Sequence, residues 1–452
     1  MAKPNHLEFE FVAEPSSRGE TPEAREAFAE WRRETGRLAS FPSFEQQLKD
    51  FREAGVGLET RIDVTRTHSI EGASLEISTY INEFWTARQR QANSLQEISY
   101  RACFKPQLPR FFIERLTVPG DWVYDPFMGR GTTPLEAALL GRVPLGCDIN
   151  PLSVLMTKPR LHPPAQSEVA QRLASIDLAV SEPAPEDLLV FFHPDTLREI
   201  VALRAYFLRR QESGQIDRLD EWIWLVALNR LTGHSKGFFS VYTLPPNQAV
   251  SVKSQRRINE KRGQVPDRRD VRAVILKKSR QLLSECDESL RAGLERLANR
   301  AILLTGPAEF TPRIPSSSVS LVVTSPPFLD IVQYEQDNWL RCWFSGIDPK
   351  SVPITMSSNV ADWAGVMTKV FHELGRVLKP GGHVAFEVGE VRKGTIKLEE
   401  AVIPCGLSAG LMPRLVMIND QEFTKTANCW GVGNNSKGTN TNRIVVFQKS
   451  GA

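Results

Sequence analysis

The 452-residue sequence predicts an α/β fold: a doubly wound, mostly parallel sheet with a large helical and basic insertion and an N-terminal helical extension. Three observations predict it. Short apolar runs bounded by turn residues alternate with helical patterns at residues 115–160 and again after residue 300. The first run ends in an acid and a glycine-rich turn. Between the two alternating regions, long helical patterns interrupt the alternation.

In the first unit TVPGDWVYD reads as a strand, PFMGRGTT as a turn and PLEAALLGR as a helix, while VPLGCDINP forms a second short strand. Asp125 closes the first strand, and Gly129 and Gly131 remove Cβ atoms that would keep a ligand from the backbone. The helix that follows offers unpaired N–H groups. Asp148 closes the second strand, where a carboxylate accepts hydrogen bonds from ribose hydroxyls. A ligand-free turn would explain either feature alone but not the pair. REIVALRAYFLRR and LDEWIWLVALNRL then mark an insertion or second domain. Alternation resumes with AILLTG, SVSLVVTSPPF, VFHELGRVLKPGGHVAFEVGE and RIVVFQK, runs suited to strands buried on both faces. Upstream, Phe51 to about Arg115 reads as helical, with one buried face shared by YINEFWTARQRQ and LPRFFIERL. The first fifty residues read as a weakly ordered arm. The divisions expected are 1–94 (extension), 95–160 (cofactor half), 161–300 (insertion) and 301–452 (catalytic half).

A hydrophobic share of 41% and a charged share of 24% exclude general disorder and a fibrous design. MAKPNHLEFEF has no basic segment followed by an apolar one, and no run of eighteen apolar residues occurs, so a cytoplasmic protein without a membrane partner is expected. The six cysteines form no C-x-x-C pair, which predicts reduced, mostly buried thiols and no metal site. A net charge of +3 names no polyanion partner by itself. Residues 251–280, however, carry 11 Lys or Arg against 3 Asp or Glu. Lys253, Arg256, Arg257, Lys261, Arg262, Arg268 and Arg269 are therefore candidate phosphate contacts, a solvated helix face being the alternative. HSKGFFSVYTLPPNQAVS, just before them, suits a loop ordered on a groove, or the root of the insertion.

Phe127, Gly129 and Gly131, preceded by Asp-Pro, spell F-x-G-x-G rather than the G-x-G-x-x-G of dinucleotide enzymes, and SVSLVVT ends in Ser325-Pro326-Pro327-Phe328. The two motifs together resemble the amino-directed (N4-cytosine and N6-adenine) DNA methyltransferases, most closely the N4-cytosine branch. The resemblance implies a class I S-adenosylmethionine-dependent methyltransferase fold with S-adenosyl-L-methionine as cofactor. Asp125, Phe127, Gly129 and Gly131 would surround its methionine part, Asp148 would bind the ribose, and Asn150 would sit beside it. Phe104, Lys105 and Pro106 would line the methionine end, with ordinary core packing the alternative for these three.

At the catalytic motif, the Ser325 side chain and the Pro326 carbonyl supply acceptors that favour a tetrahedral target nitrogen, whose lone pair then faces the methyl group. Pro327 stiffens the turn, and Phe328 would stack on a base rotated out of the duplex. Serine at the first position favours cytosine N4 within the family. Adenine N6, a base amino group of RNA, and a non-catalytic nucleic-acid-binding protein of this fold are the alternatives. Carbon-5 methylation needs a Pro-Cys nucleophile, and the only such pair, Pro404-Cys405, is distant in sequence from Ser325 and reads as packing.

The motif order implies that 161–300 hold the target-recognition region, although Pro307 stands where an acid is frequent. Double-stranded DNA is the implied partner, with a restriction endonuclease acting on the same site. NCWGVGNNSKGTNTNRIVVFQK, with Lys437 and Arg443, suits either contacts to DNA or a surface hairpin.

Overall fold

Hydrogen bonding in the computed structural model joins ten strands into one sheet. The structure describes residues 11–12, 44–52, 59–68, 72, 74–85, 92–101, 103–180, 182–243, 249–327, 334–352, 359–388, 390–391, 396–420 and 441–451. In chain order the elements are β1 (Phe11–Val12), α1 (Phe44–Lys49), β2 (Arg61–His68), β3 (Ser74–Asn82), α2 (Gln107–Leu116), β4 (Trp122–Asp125), α3 (Thr132–Leu139), β5 (Val143–Asp148) and α4 (Leu152–Leu161). The insertion supplies α5 (Gln166–Ser175), α6 (Pro194–Glu212), α7 (Arg218–Leu228), α8 (Val252–Arg262), α9 (Val271–Leu282) and α10 (Glu288–Ala298). The catalytic half adds β6 (Ile302–Thr305), β7 (Val319–Thr324), α11 (Tyr334–Phe344), α12 (Val360–Val377) and β8 (Leu378–Val388). It closes with β9 (Glu390–Val391), β10 (Ile396–Lys397), α13 (Leu398–Ser408), β11 (Leu411–Asp420) and β12 (Thr441–Lys449).

The sheet order is β1-β6-β5-β4-β7-β8-β12-β11-β3-β2, with β9 and β10 paired apart from it. Strands β6, β5, β4, β7 and β8 are parallel, and β12 is antiparallel to both β8 and β11. The chain winds outward from β4 in one direction and then returns to its other side with β7. That reversal opens a crevice at the carboxyl ends of β4 and β7, where doubly wound sheets bind ligands. This is the class I methyltransferase arrangement. The central strands are mostly buried: β7 is covered at all of its positions and β8 over its last five.

The helical reading of 51–115 holds for α2 and fails for 61–82. Residues 61–68 and 74–82 form a hairpin whose strand β3 runs parallel to β11 and lengthens the sheet. In SLEISTYIN the β-branched residues and the every-other burial of Ile77 and Thr79 obey a two-residue period, which a helical count over the neighbouring aromatics conceals. The insertion is helical as expected and shares one core with α4: Trp222, Trp224, Phe207 and Phe192 pack with Leu152 and Met156. Cys147, Cys286, Cys342 and Cys405 are buried free thiols and Cys103 is half-buried; Cys429 lies outside the described residues. Cys405 packs between α13 and α12, its thiol donating to the Ala364 carbonyl, which fits the packing role expected of it. No helix among the described residues is long and apolar enough to cross a membrane.

Candidate active site

Four strand ends meet at the carboxyl edge. Asp125 ends β4, Asp148 ends β5, Ser325 follows β7, and Glu387 is the last residue but one of β8. β12 runs the opposite way and so brings its first residues, Thr441 and Asn442, to the same edge.

Asp125 is buried, and its Oδ1 accepts from the Thr324 hydroxyl at 2.6 Å and from the Phe127 amide at 3.1 Å. Burial pushes its carboxyl up to about 7 against those bonds. Its Oδ2 has no hydrogen-bond partner among the described residues. The half-buried Asp148 accepts the Gly129 amide on Oδ2 at 2.8 Å and the Asn150 amide on Oδ1 at 2.9 Å. Burial raises its pKa too. Asn150 is buried and donates from Nδ2 to the Tyr100 hydroxyl at 3.3 Å.

The two glycines do different work. Both have positive φ, 51° at Gly129 and 77° at Gly131, a region that favours glycine. A Cβ on Gly129 would meet nothing nearer than Tyr100 at 3.9 Å, so its bare face borders open space. A Cβ on Gly131 would lie 2.1 Å from Thr157 Oγ1. Gly131 therefore allows close packing against α4, a second demand for glycine that the sequence reading did not include.

Beside this loop a cleft of about 330 Å³ is lined by Gln96, Tyr100, Lys105, Pro106 and Arg130 among others. Lys105 and Pro106 line this cleft. Phe104 instead packs on the cluster of Phe111, Phe112 and Val123, the alternative kept open for it. Phe127 is half-buried against the cluster around Tyr124 and Leu145. No sequence motif marks the latch that holds the cleft wall. The fully buried Arg160 donates to the carbonyls of Met156 and Leu95 and to that of Arg130, inside the glycine turn. Arg130 in turn donates to the Ile98 carbonyl at 2.6 Å.

At the catalytic strand, Thr133 Oγ1 of α3 donates to the Val323 carbonyl at 3.1 Å, so the glycine turn and β7 are locked together. The Pro327 carbonyl is taken by the Trp363 indole N–H at 3.0 Å, whereas no donor among the described residues reaches the Pro326 carbonyl. Ser325 lies one position beyond the Thr324–Phe386 pairing, beside Glu387, whose carboxyl is pushed above the ordinary range by burial while nearby Ser325 and Asn442 act to lower it. A serine hydroxyl oxygen can accept a hydrogen bond from an incoming N–H. Phe328 lies outside the described residues, as does Lys437. Glu387 escaped the sequence reading, yet its signal matched those of Asp125 and Asp148: an acid at the carboxyl end of an apolar run, in HVAFEVGE.

The basic residues divide. Lys253, Arg257 and Lys261 recur every four residues along α8, are exposed, and form no ion pair among the described residues. Arg256 pairs with Asp187 at 2.9 Å, Arg268 with Glu199 at 3.2 Å and Arg269 with Asp267 at 2.6 Å, while Arg262 stacks on Tyr242. Arg443 is held by Glu399 at 2.5 Å.

A family model described as DNA methylase matches residues 46–158. The Type II methyltransferase M.BsoBI of Geobacillus stearothermophilus is 22% identical over 296 residues, 58% of this chain and 55% of that protein. M.MvaI of Kocuria varians is 35% identical over 86 residues, 18% of this chain and 19% of its own. This chain thus spans about half the length of the first relative and less of the second. Among solved structures, TrmN from Thermus thermophilus is 14% identical with a TM-score of 0.30, over 96% of this chain and 68% of that one.

Proposed function

We propose, starting from the kinship of this chain with the amino-methyltransferase family, that it transfers a methyl group from S-adenosyl-L-methionine to the exocyclic N4 of cytosine in double-stranded DNA. The observation that carries the reading is the Ser325 oxygen. It follows β7 at the carboxyl edge, beside the Pro326 carbonyl that no donor among the described residues reaches, so the two can accept from an amino group.

The residues present fit the cofactor. Asp148 is half-buried, and each oxygen accepts one backbone amide, leaving a lone pair for ribose hydroxyls. Gly129 presents bare backbone to open space, and Asp125 Oδ2 is unsatisfied. Asp125, Phe127, Gly129, Asp148 and Asn150 would hold the cofactor, with Lys105 and Pro106 at the cleft wall. When bound it supplies an electrophilic methyl group on sulfur.

The amino nitrogen of cytosine is a weak nucleophile because its lone pair is delocalised into the ring. Two acceptors directed at its N–H bonds favour the tetrahedral nitrogen that attacks. The motif lies at the floor of the sheet edge, so the base must leave the duplex to reach it. The helical insertion 161–300 would read the target, and Lys253, Arg257 and Lys261 would hold phosphates. Such an enzyme would act in the cytoplasm, either alone or as one half of a restriction-modification pair, two settings that call for the same site. Mass spectrometry of nucleosides from unmethylated DNA incubated with protein and cofactor, with RNA in parallel, tests this. N4-methylcytosine is expected; N6-methyladenine would overturn the substrate, and no product in either nucleic acid the activity.

A further inference from the structure

Helix α8 is anchored at both ends. The chain before it is held by α11, the helix that follows the catalytic motif: the Ala249 amide donates to the Asp337 carbonyl at 3.1 Å, and the Trp339 indole N–H to the Val250 carbonyl at 3.3 Å. At the other end Gly263 caps the helix with a φ of 57°. The Gln264 amide donates to the Asn259 carbonyl at 3.0 Å, and its side chain to the Tyr242 carbonyl at 2.9 Å. Beyond the turn, the Arg269 amide donates to the Thr196 hydroxyl at 2.8 Å and the Val271 amide to Glu199 at 3.1 Å. Between these anchors stands Val265, 82% exposed and the most exposed large apolar side chain among the described residues. Pro266 follows, which fixes its own φ and presents no N–H. Of the charged residues flanking the pair in sequence, Arg262 stacks on Tyr242, Asp267 pairs with Arg269 and Arg268 with Glu199. Lys261 forms no ion pair among the described residues and ends the row that begins at Lys253.

We propose that the Val265–Pro266 turn is an apolar wedge that enters a groove of double-stranded DNA beside phosphates held by Lys253, Arg257 and Lys261. This deepens the reading above and rests on its choice of duplex DNA as substrate. From Lys253 to Lys261 the helix axis advances about 12 Å, or roughly three to four base pairs along one strand. Phosphate contacts fix the position of a protein on the duplex but read no sequence, so a surface made of α8 cations alone would hold any duplex equally. Apolar side chains and prolines that enter a groove press on the base steps, which differ from one sequence to another. A tip pinned on both sides loses little conformational freedom on binding. A second copy of this chain is a poorer occupant, because a two-fold contact through the tip would bring the row of unpaired cations close to its own copy.

Two measurements on the full chain test this. The photoreactive residue p-benzoylphenylalanine is placed at Val265 and irradiated with a mixed-sequence linear duplex; a covalent protein–DNA adduct is expected. The same residue at Ile62, 53% exposed on the edge strand β2, should give none. No adduct from position 265 while the protein binds the duplex, or an adduct only to a second copy of the chain, would overturn the proposal. In the second measurement Val265→Ser, at an exposed position, should keep the wild-type melting temperature and lose at least about fivefold in affinity for the duplex. The slope of log affinity against log salt should stay unchanged, since no phosphate contact is removed. Wild-type affinity, or a reduced slope, would also count against the wedge. Protein that methylates no base yet forms the adduct at 265 loses the methyltransferase reading and keeps this one; protein that methylates DNA without the adduct does the reverse.

Discussion

Thr324 donates its hydroxyl to Asp125 Oδ1 at 2.6 Å, so the last residue of β7 holds the last residue of β4. The two motifs of the sequence, 199 residues apart along the chain, share one buried hydrogen bond. Thr324→Val keeps the shape and removes the donor. Hydrogen bonds to charged groups contribute about 1.5–3 kcal/mol, and a loss of that order is expected in urea unfolding, together with weaker cofactor binding. Unchanged stability and affinity would show that the motifs are not coupled through this bond.

Asp125 also predicts a pH dependence. Its carboxyl lies at about 7 in the fold against 3.8 for the free group, so the folded state holds the proton more tightly. Its contribution is therefore fully present below the unfolded value and is lost as pH rises through the folded one. Asp125→Asn should gain melting temperature relative to wild type between pH 5 and 8. A difference that is flat with pH would contradict the assignment.

Gly131→Ala meets both a positive φ and Thr157, whereas Gly129→Ala meets only the φ. We expect Gly129→Ala to cost about 1–2 kcal/mol and Gly131→Ala clearly more, with part of the excess recovered by adding Thr157→Ala. Cofactor affinity should suffer more, for its loss of stability, in the Gly129 variant. Equal unfolding midpoints for the two would refute the packing role of Gly131.

Asp148 and Ser325 stand on opposite sides of the proposed reaction. Asp148→Ala should weaken cofactor binding at least about tenfold, or 1.4 kcal/mol. Ser325→Ala should leave binding intact and slow transfer. Calorimetry with the cofactor alone separates them, and parallel loss in both variants would end the division of labour.

Replacing Lys253, Arg257 and Lys261 together by alanine should reduce the slope of log affinity for DNA against log salt by nearly 3, at about 0.9 per phosphate contact. Replacing Arg256, Arg268 and Arg269, each paired to a carboxylate, should change it less. The opposite ranking, read by fluorescence anisotropy at several salt concentrations, would move the DNA surface off α8.

The sequence by itself determined the strand-turn-helix units and where each would end, because apolar runs of strand length, glycines and terminal acids act locally. Asp125, Asp148 and Ser325 were legible for that reason, as was the helical insertion. The β2–β3 hairpin was not, since the two-residue period of SLEISTYIN is short and sits beside aromatics at helical spacing, while the strand it joins, β11, lies more than 330 residues away. Tertiary structure alone decided what the flagged residues touch: that Gly131 faces Thr157, that three of the seven flagged basic residues are already paired, and that Phe104 belongs to the core. It also brought Asn442 to Glu387 at the edge where Ser325 lies, because β12 enters the sheet antiparallel and delivers its first residues to the edge where its neighbours end. Which side chains share that edge depends on strand order and direction, and these follow from packing the whole sheet.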